Sequence, residues 1–249
     1  MTIPTNGLVF YAPLAEDKAT AETGQTLTKS GTVNTLKINN IPCSLFASEN
    51  SNLYANYSGG AFNGTISLWL YATDNTRSDT TDYGGFFMLG DFGNFSFIKG
   101  CMNTSAENSF SFGSSNSNSS HCYPSITIIR NEWVHLCFVV SGTSYSIYKN
   151  GILASQATAA SAITLPDETT LYINNSEVGG IENIAIAACR VYNRALSDSE
   201  ITELSKEFAD EGTSGGTGVV IDGLFLSTSK PTANQKGLLV NNKFFIPFA

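Results

Sequence analysis

The chain has 249 residues, of which 42% are hydrophobic and only 14% charged, with a formal net charge of −8. That apolar content is enough for a full core and speaks against global disorder. No cluster of Lys or Arg offers a phosphate-neutralising surface, so a nucleic-acid partner is not expected. Nor does any apolar run approach the roughly 18 residues of a membrane-spanning helix.

Polarity comes mainly from Ser, Thr, Asn and Gly rather than from charge. Such a surface suits exposed sheet faces, long neutral loops, and partners read by hydrogen bonds and flat aromatic contacts, as glycans are. The opening Met1-Thr2-Ile3-Pro4-Thr5-Asn6-Gly7 has neither a basic n-region nor an apolar h-region, so no secretory signal is expected in it.

Leu8 to Leu14 is a short apolar run that predicts the first strand. A polar stretch with Gly24 and Gly31 follows, and then a second apolar run from Ile41 to Phe46. Thr65 to Tyr71 alternates, with Ile66, Leu68 and Leu70 on one face and Ser67, Trp69 and Tyr71 on the other. Phe86–Gly90, Phe95–Ile98 and Ser109–Phe112 continue the strand pattern. Two long loops interrupt it, Thr73–Gly85 and Cys101–Pro124, the second holding the low-complexity run Gly113–Ser120. Long loops on a rigid scaffold are where binding residues concentrate.

Trp133–Val140 reads as a core strand, and Ser144–Tyr148 returns after a turn. Asn150-Gly151 is the strongest short hairpin signal, because both residues tolerate φ > 0. Leu171–Ile173 and Ile184–Tyr192 are further strands, with Glu182 just before the last one. One helix is predicted. Ser197 and Glu200 form a capping box, Leu196 and Ile201 a hydrophobic staple, and Ile201, Leu204 and Phe208 a short apolar stripe. Gly212–Gly218 has the composition of a flexible linker. The strand-like runs Val219–Leu226 and Gly237–Phe248 are too small a module to be stable alone.

The five cysteines are Cys43, Cys101, Cys122, Cys137 and Cys189. Cys137 and Cys189 lie in apolar strand patterns, and Cys137 is expected as a buried small hydrophobe. Cys101 and Cys122 flank a loop and are candidates for pairing, which spacing alone does not establish. No CxxC or His-rich spacing points to zinc.

At this point the order of pieces resembles the laminin-G-like, pentraxin-like branch of the concanavalin A-like jelly rolls. Phe62-Asn63-Gly64-Thr65-Ile66-Ser67-Leu68-Trp69-Leu70 resembles one of that family's strands. Glu132-Trp133-Val134-His135-Leu136, followed by Tyr145-Ser146-Ile147-Tyr148-Lys149-Asn150-Gly151, resembles its hairpin. Arg190-Val191-Tyr192-Asn193-Arg194-Ala195-Leu196-Ser197, with Glu200-Ile201, resembles its closing motif, the most specific of the three. The resemblance spans roughly residues 8 to 208 and implies an all-β, two-sheet antiparallel jelly-roll sandwich with one short C-terminal helix. The expected organisation is a jelly-roll domain over 1–210, a Gly-rich linker over 211–218 and a small β appendage over 219–249.

Members of that family are mostly non-catalytic glycan- or protein-binding modules, and many hold calcium at the sandwich rim. Here the closing strand reads Ile186-Ala187-Ala188-Cys189-Arg190, and Ala187 stands where the family often has an acidic residue. Calcium prefers six to eight oxygen ligands, so no metal site is assigned, although Asp82 and Asp91 keep calcium open as a possibility.

The fold family also holds retaining glycan hydrolases, which need two carboxylates about 5 Å apart. No strand carries that pattern, and nothing resembles a nucleophile elbow, so no catalytic residues are assigned and no enzyme is expected. His135 belongs to the hairpin motif and is read as structural. The glycan-binding candidates are the loop aromatics Tyr83, Phe92 and Tyr123 beside Asp82, Asp91 and His121. Trp69, Tyr71, Tyr145 and Tyr148 are candidates for an outer sheet face.

The Ser/Asn/Gly-rich loops and the apolar tail resemble, in composition, bacteriophage virion accessory or fibre proteins. Phe244, Phe245, Ile246 and Phe248 would make a poor solvent-exposed end and are expected to anchor the chain in an interface. The expectation is a lectin-like module on a virion or extracellular surface, partnered by a glycan and by other assembly proteins and oligomeric or part of a larger assembly. The alternatives are a structural decoration or fibre component and, behind it, a glycan hydrolase.

Overall fold

The computed structural model describes residues 2–15, 25–77, 84–91, 96–102, 109–116, 124–174, 180–208, 218–221, 224–227, 238–240 and 243–246. The strands, in chain order, begin with β1 (Leu8–Ala12), β2 (Thr28–Ser30), β3 (Val33–Ile38), β4 (Ile41–Phe46) and β5 (Asn52–Ala61). They continue with β6 (Gly64–Arg77), β7 (Gly85–Asp91), β8 (Ser96–Met102), β9 (Ser109–Asn116) and β10 (Ser125–Thr127). Next come β11 (Trp133–Ser141), β12 (Ser144–Lys149), β13 (Ile152–Thr158), β14 (Thr164–Ile173) and β15 (Glu182–Tyr192). Helix α1 (Asp198–Leu204) precedes β16 (Gly218–Ile221), β17 (Leu224–Ser227), β18 (Leu238–Val240) and β19 (Lys243–Ile246).

The first fifteen strands form two antiparallel sheets. One runs β13-β12-β11-β6-β15-β4-β3, with β1 also on β15; the other runs β10-β9-β8-β7-β14-β5-β2. Neighbours far apart in sequence, β6 beside β15 and β7 beside β14, make the chain cross repeatedly between the sheets. This is the expected jelly-roll sandwich.

The alternation in β6 sets the layers. Ile66, Leu68 and Leu70 enter the central core, where Phe87, Leu89, Ile98, Phe110, Phe112 and Leu171 meet them from the other sheet. Phe112 stacks on Phe138 with ring centroids 4.5 Å apart. Each such side chain contributes about 1.5–3 kcal/mol on burial. Trp69 and Tyr71 project to the opposite face and pack with Cys43, Ala185 and Ala187.

Asn150 (φ +51) and Gly151 (φ +81) make the two-residue turn between β12 and β13, as predicted. A Cβ on Gly151 would fall 2.5 Å from Ser205 Oγ, so the small residue also lets the turn reach the end of the helix. The capping box forms as read: Ser197 accepts from the Glu200 amide, and Glu200 accepts from the Ser197 amide at 2.9 Å. Ile201 and Leu204 are buried against Cys137, Tyr192 and Leu196.

Several sequence expectations change. The polar stretch after β1 contains β2 and β3. The Thr73–Gly85 loop is shorter, because β6 runs on to Arg77. There the Thr73 and Thr76 hydroxyls donate to the Asn183 carbonyl, and Arg130 donates to the Thr73 and Thr76 carbonyls at 2.8 Å. Glu182 lies within β15. Gly113–Asn116, expected as low-complexity loop, extends β9 because ladder pairing with β8 overrides its poor intrinsic preference. Tyr145 points into the central core, 6.2 Å from Phe112, rather than outward. The two C-terminal runs fold as two hairpins in one four-stranded sheet, β16-β17-β19-β18.

Candidate functional site

The outer faces of the two sheets differ. On the eight-stranded sheet, α1 and the residues after it lie over the surface. Arg190, 2% exposed, makes a two-point ion pair with Glu207 at 2.6 and 2.7 Å, and Tyr11 lies 4.1 Å from its guanidinium. Phe208 sits edge-on to Trp69 at 5.4 Å. This face is therefore capped by the chain itself.

The outer face of the seven-stranded sheet is built from alternate residues of β2, β5, β14, β7, β8 and β9. Pairing aligns one row across it: Thr28, Tyr54, Tyr172, Met88, Lys99 and Gly113. A second row holds Asn56, Thr170, Gly90, Phe97 and Ser115. Gly90 has φ +133, and a Cβ there would fall 2.4 Å from the Ser96 carbonyl oxygen, so glycine alone lets β7 and β8 close up at this point. The β7–β8 part of the face is buried, with Met88, Phe97 and Lys99 at no more than 4% exposure. On the β5–β14 part, Tyr54, Tyr172 and Thr170 are half-exposed and Asn56 is exposed. The Tyr54 and Tyr172 rings are 5.8 Å apart and tilted by 37°. Two adjacent ring faces with an amide and a hydroxyl beside them can receive a flat, hydroxyl-rich ligand.

Of the six sequence-predicted binding residues, only Asp91 lies among the described residues. It ends β7 half-buried, opposite Ser96. Asp82, Tyr83, Phe92, His121 and Tyr123 lie outside them. Of the anchor residues, Phe244, Phe245 and Ile246 fall in β19, while Phe248 lies outside the described residues. Tyr54 and Tyr172 were missed in the sequence. The alternation in Leu53-Tyr54-Ala55-Asn56 and Leu171-Tyr172-Ile173 carried the signal, but only strand pairing brings the two rings together.

His135 is fully buried, with Nε2 2.9 Å from Ser67 Oγ. Burial, with the nearby Arg190 charge second, lowers its pKa to about 3. It is thus a neutral framework residue. Cys101 is a buried free thiol with Sγ 3.1 Å from Ser111 Oγ, and burial raises its pKa; its candidate partner Cys122 lies outside the described residues. Cys43, Cys137 and Cys189 are buried free thiols. The position of Ala187 does not fit calcium: the residue is fully buried among Trp69, Tyr71 and Cys43, which offer no set of oxygen ligands. Among the described residues no group of three His, Cys, Asp or Glu side chains converges.

A family model described as the concanavalin A-like lectin/glucanases superfamily matches residues 48–202, more than half of the chain. The chain belongs to this superfamily. Among solved structures, this superfamily member is similar to domain 4 of a GH43 extracellular arabinanase from Geobacillus stearothermophilus, in complex with arabinotriose. That match has 17% identity and a TM-score of 0.62 over 80% of this chain and 98% of that one. It is also similar to the botulinum neurotoxin serotype D ligand binding domain in complex with N-acetylneuraminic acid (14% identity, TM-score 0.64, 80% of this chain and 50% of that one). A third similar structure is the botulinum neurotoxin type G receptor binding domain (17%, 0.60, 81% and 51%). The chain spans about half the length of the two toxin domains. At these identities the likeness concerns the fold. None of the curated proteins compared matches the chain.

Proposed function

We propose that this protein is a non-catalytic, lectin-like module that binds a glycan on the open β5–β14 part of the seven-stranded sheet. The observation that carries this reading is the half-exposed Tyr54–Tyr172 pair, on one outer face of the sandwich while the other is capped. Arabinotriose and N-acetylneuraminic acid in the complexes of two structures of the same fold support a carbohydrate as the ligand class. The superfamily includes glucanases as well as lectins. Against hydrolysis, no strand among the described residues carries two carboxylates at i and i+2 or i+4, the spacings that would set a retaining pair on one face of a single strand.

Display on a virion or extracellular surface belongs to the same proposal, with the C-terminal sheet as the attachment. Its support is the apolar sequence of β18 and β19, Leu238-Leu239-Val240 and Phe244-Phe245-Ile246, in a module too small to stand alone.

The test is glycan-array binding of the purified chain, with calcium and with a chelator, against Tyr54→Ala and Tyr172→Ala. Each truncation is expected to weaken binding about tenfold, equivalent to ~1.4 kcal/mol per ring, without altering the melting temperature appreciably. Loss in a Tyr83→Ala, Tyr123→Ala variant alone would move recognition to the loops. No binding to any glycan would leave the structural decoration role.

A further inference from the structure

The strip of sheet that carries Tyr54 and Tyr172 has definite ends. Its outward residues fall in three rows across β5 and β14: Tyr54 with Tyr172, Asn56 with Thr170, and Ser58 with Glu168. The residues between them, Ala55 and Leu171 in the central core and the buried Thr169, point inward, so alternation turns these six side chains outward. All six are half-exposed or exposed. One step beyond the tyrosine row the surface closes, with Asn52 at 2% exposure and Asn174 at 0%. At the other end the register shifts between Leu165 and Glu168, and a Cβ on Gly59 would collide with the Pro166 carbonyl, so the two backbones meet there. From Tyr54 to Ser58 the strip measures about 13 Å along the strand, room for a short oligosaccharide laid along β5 and β14.

Of the six side chains, Glu168 alone carries a charge, and Asp167, exposed beside it in the bulge, has the same sign. Two lysines stand on other strands of this sheet, and neither balances it. Lys99 shares the tyrosine row but lies two strands beyond Tyr172 and is 4% exposed. Lys29 pairs with Leu53, a core residue, and therefore sides with the inner face.

We infer, on the reading that this face binds a glycan, that the strip takes a short neutral oligosaccharide and that Glu168 sets neutral sugars above acidic ones. The two tyrosine rings offer apolar contact to the face of one sugar. Asn56, Thr170 and Ser58 both donate and accept, so they meet hydroxyls in either role. The Glu168 carboxylate accepts only, and it pairs with sugar hydroxyls at the far end of the strip. A uronate, sialate or sulfate brought to the same place would set two anions side by side with no cation between them. Discrimination then comes from repulsion at one side chain, while the aromatic pair accepts either class.

The experiment measures binding of the full chain to matched pairs of immobilised oligosaccharides, each neutral glycan beside its sialylated or sulfated form. Wild type is compared with Glu168→Gln, Glu168→Lys, Tyr54→Ala and Tyr172→Ala. Wild type is expected to hold the neutral member about tenfold more tightly, with the gap narrowing as salt is raised. Glu168→Gln is expected to bring the two members level and Glu168→Lys to reverse their order, both at unchanged melting temperature because the side chain is exposed. A wild type that binds the acidic member as well as the neutral one, or better, would overturn the inference. So would a ratio that stays the same in both Glu168 variants; with Tyr54→Ala still weakening both members, that result removes the role of Glu168 and leaves the aromatic platform standing. Binding indifferent to Tyr54→Ala and Tyr172→Ala, or no binding at all, would overturn the platform and this inference together.

Discussion

His135 shows how far one side chain's chemistry follows from its surroundings. Its ring lies 5.3 Å from Trp69, Nε2 meets the Ser67 hydroxyl, and Nδ1 is buried without a partner. The tautomer with its proton on Nε2 is the economical one, since an acceptor left unpaired costs less than an orphaned N–H. A second charge beside Arg190 would have no counterion, and burial alone already disfavours it. The unfolded chain takes up a proton near pH 6.5 that the folded one refuses until about 3. Stability is therefore complete above pH 6.5 and falls as the pH drops toward 3. The chain has only two histidines, and Glu200, held by Arg194, titrates well below this range, at about 2. A flatter stability profile between pH 7 and 5 is thus expected for His135→Gln in urea titrations, with some stability lost at pH 7. An unchanged slope would show that the ring is not what titrates. The sequence motif marked His135 as structural; burial and the Arg190 charge make it neutral.

At the scale of elements, the helix and the strand it caps form one device. The capping box, Ser197 with Glu200, was readable because its partners sit three residues apart. The Arg190–Glu207 pair was not readable, since it joins a strand to the residues after a helix and depends on how α1 packs. Both ends of that pair are almost buried, at 3% and 12% side-chain exposure, and Arg190 Nε has no partner. Removing one charge strands the other, which typically costs 3–5 kcal/mol, i.e. ~4 kcal/mol. Glu207→Gln is expected to lower the urea midpoint accordingly while leaving the m-value unchanged, and it should free Phe208 from Trp69, seen as a change in tryptophan fluorescence. Strands were read unevenly for the same reason. β6, β11 and β15 carry dense apolar patterns, whereas β2 and the end of β9 are polar and become strands only by pairing with a neighbour.

On the scale of the whole molecule, the sandwich is complete by Phe208. The last clamp onto the eight-stranded sheet uses Glu207 and Phe208, and the four-stranded sheet forms its own ladder. A chain ended after Phe208 is expected to keep its melting temperature within a few degrees and to keep glycan binding, as circular dichroism and the array would read. Loss of particle incorporation in that chain would support the attachment role given to residues 218–246. The sequence by itself determined the faces of β6, the Asn150-Gly151 turn and the helix start, because each rests on residues close together in the chain, and it indicated the fold class through the family resemblance of three such local motifs taken in order. Tertiary structure alone decided that Tyr54 and Tyr172 share a face, that Tyr145 turns inward, that Cys101 stays a free thiol and that β13 ends the eight-stranded sheet. Those depend on strand order and register, which bring together residues such as Tyr54 and Tyr172, 118 positions apart, and no local pattern encodes that order.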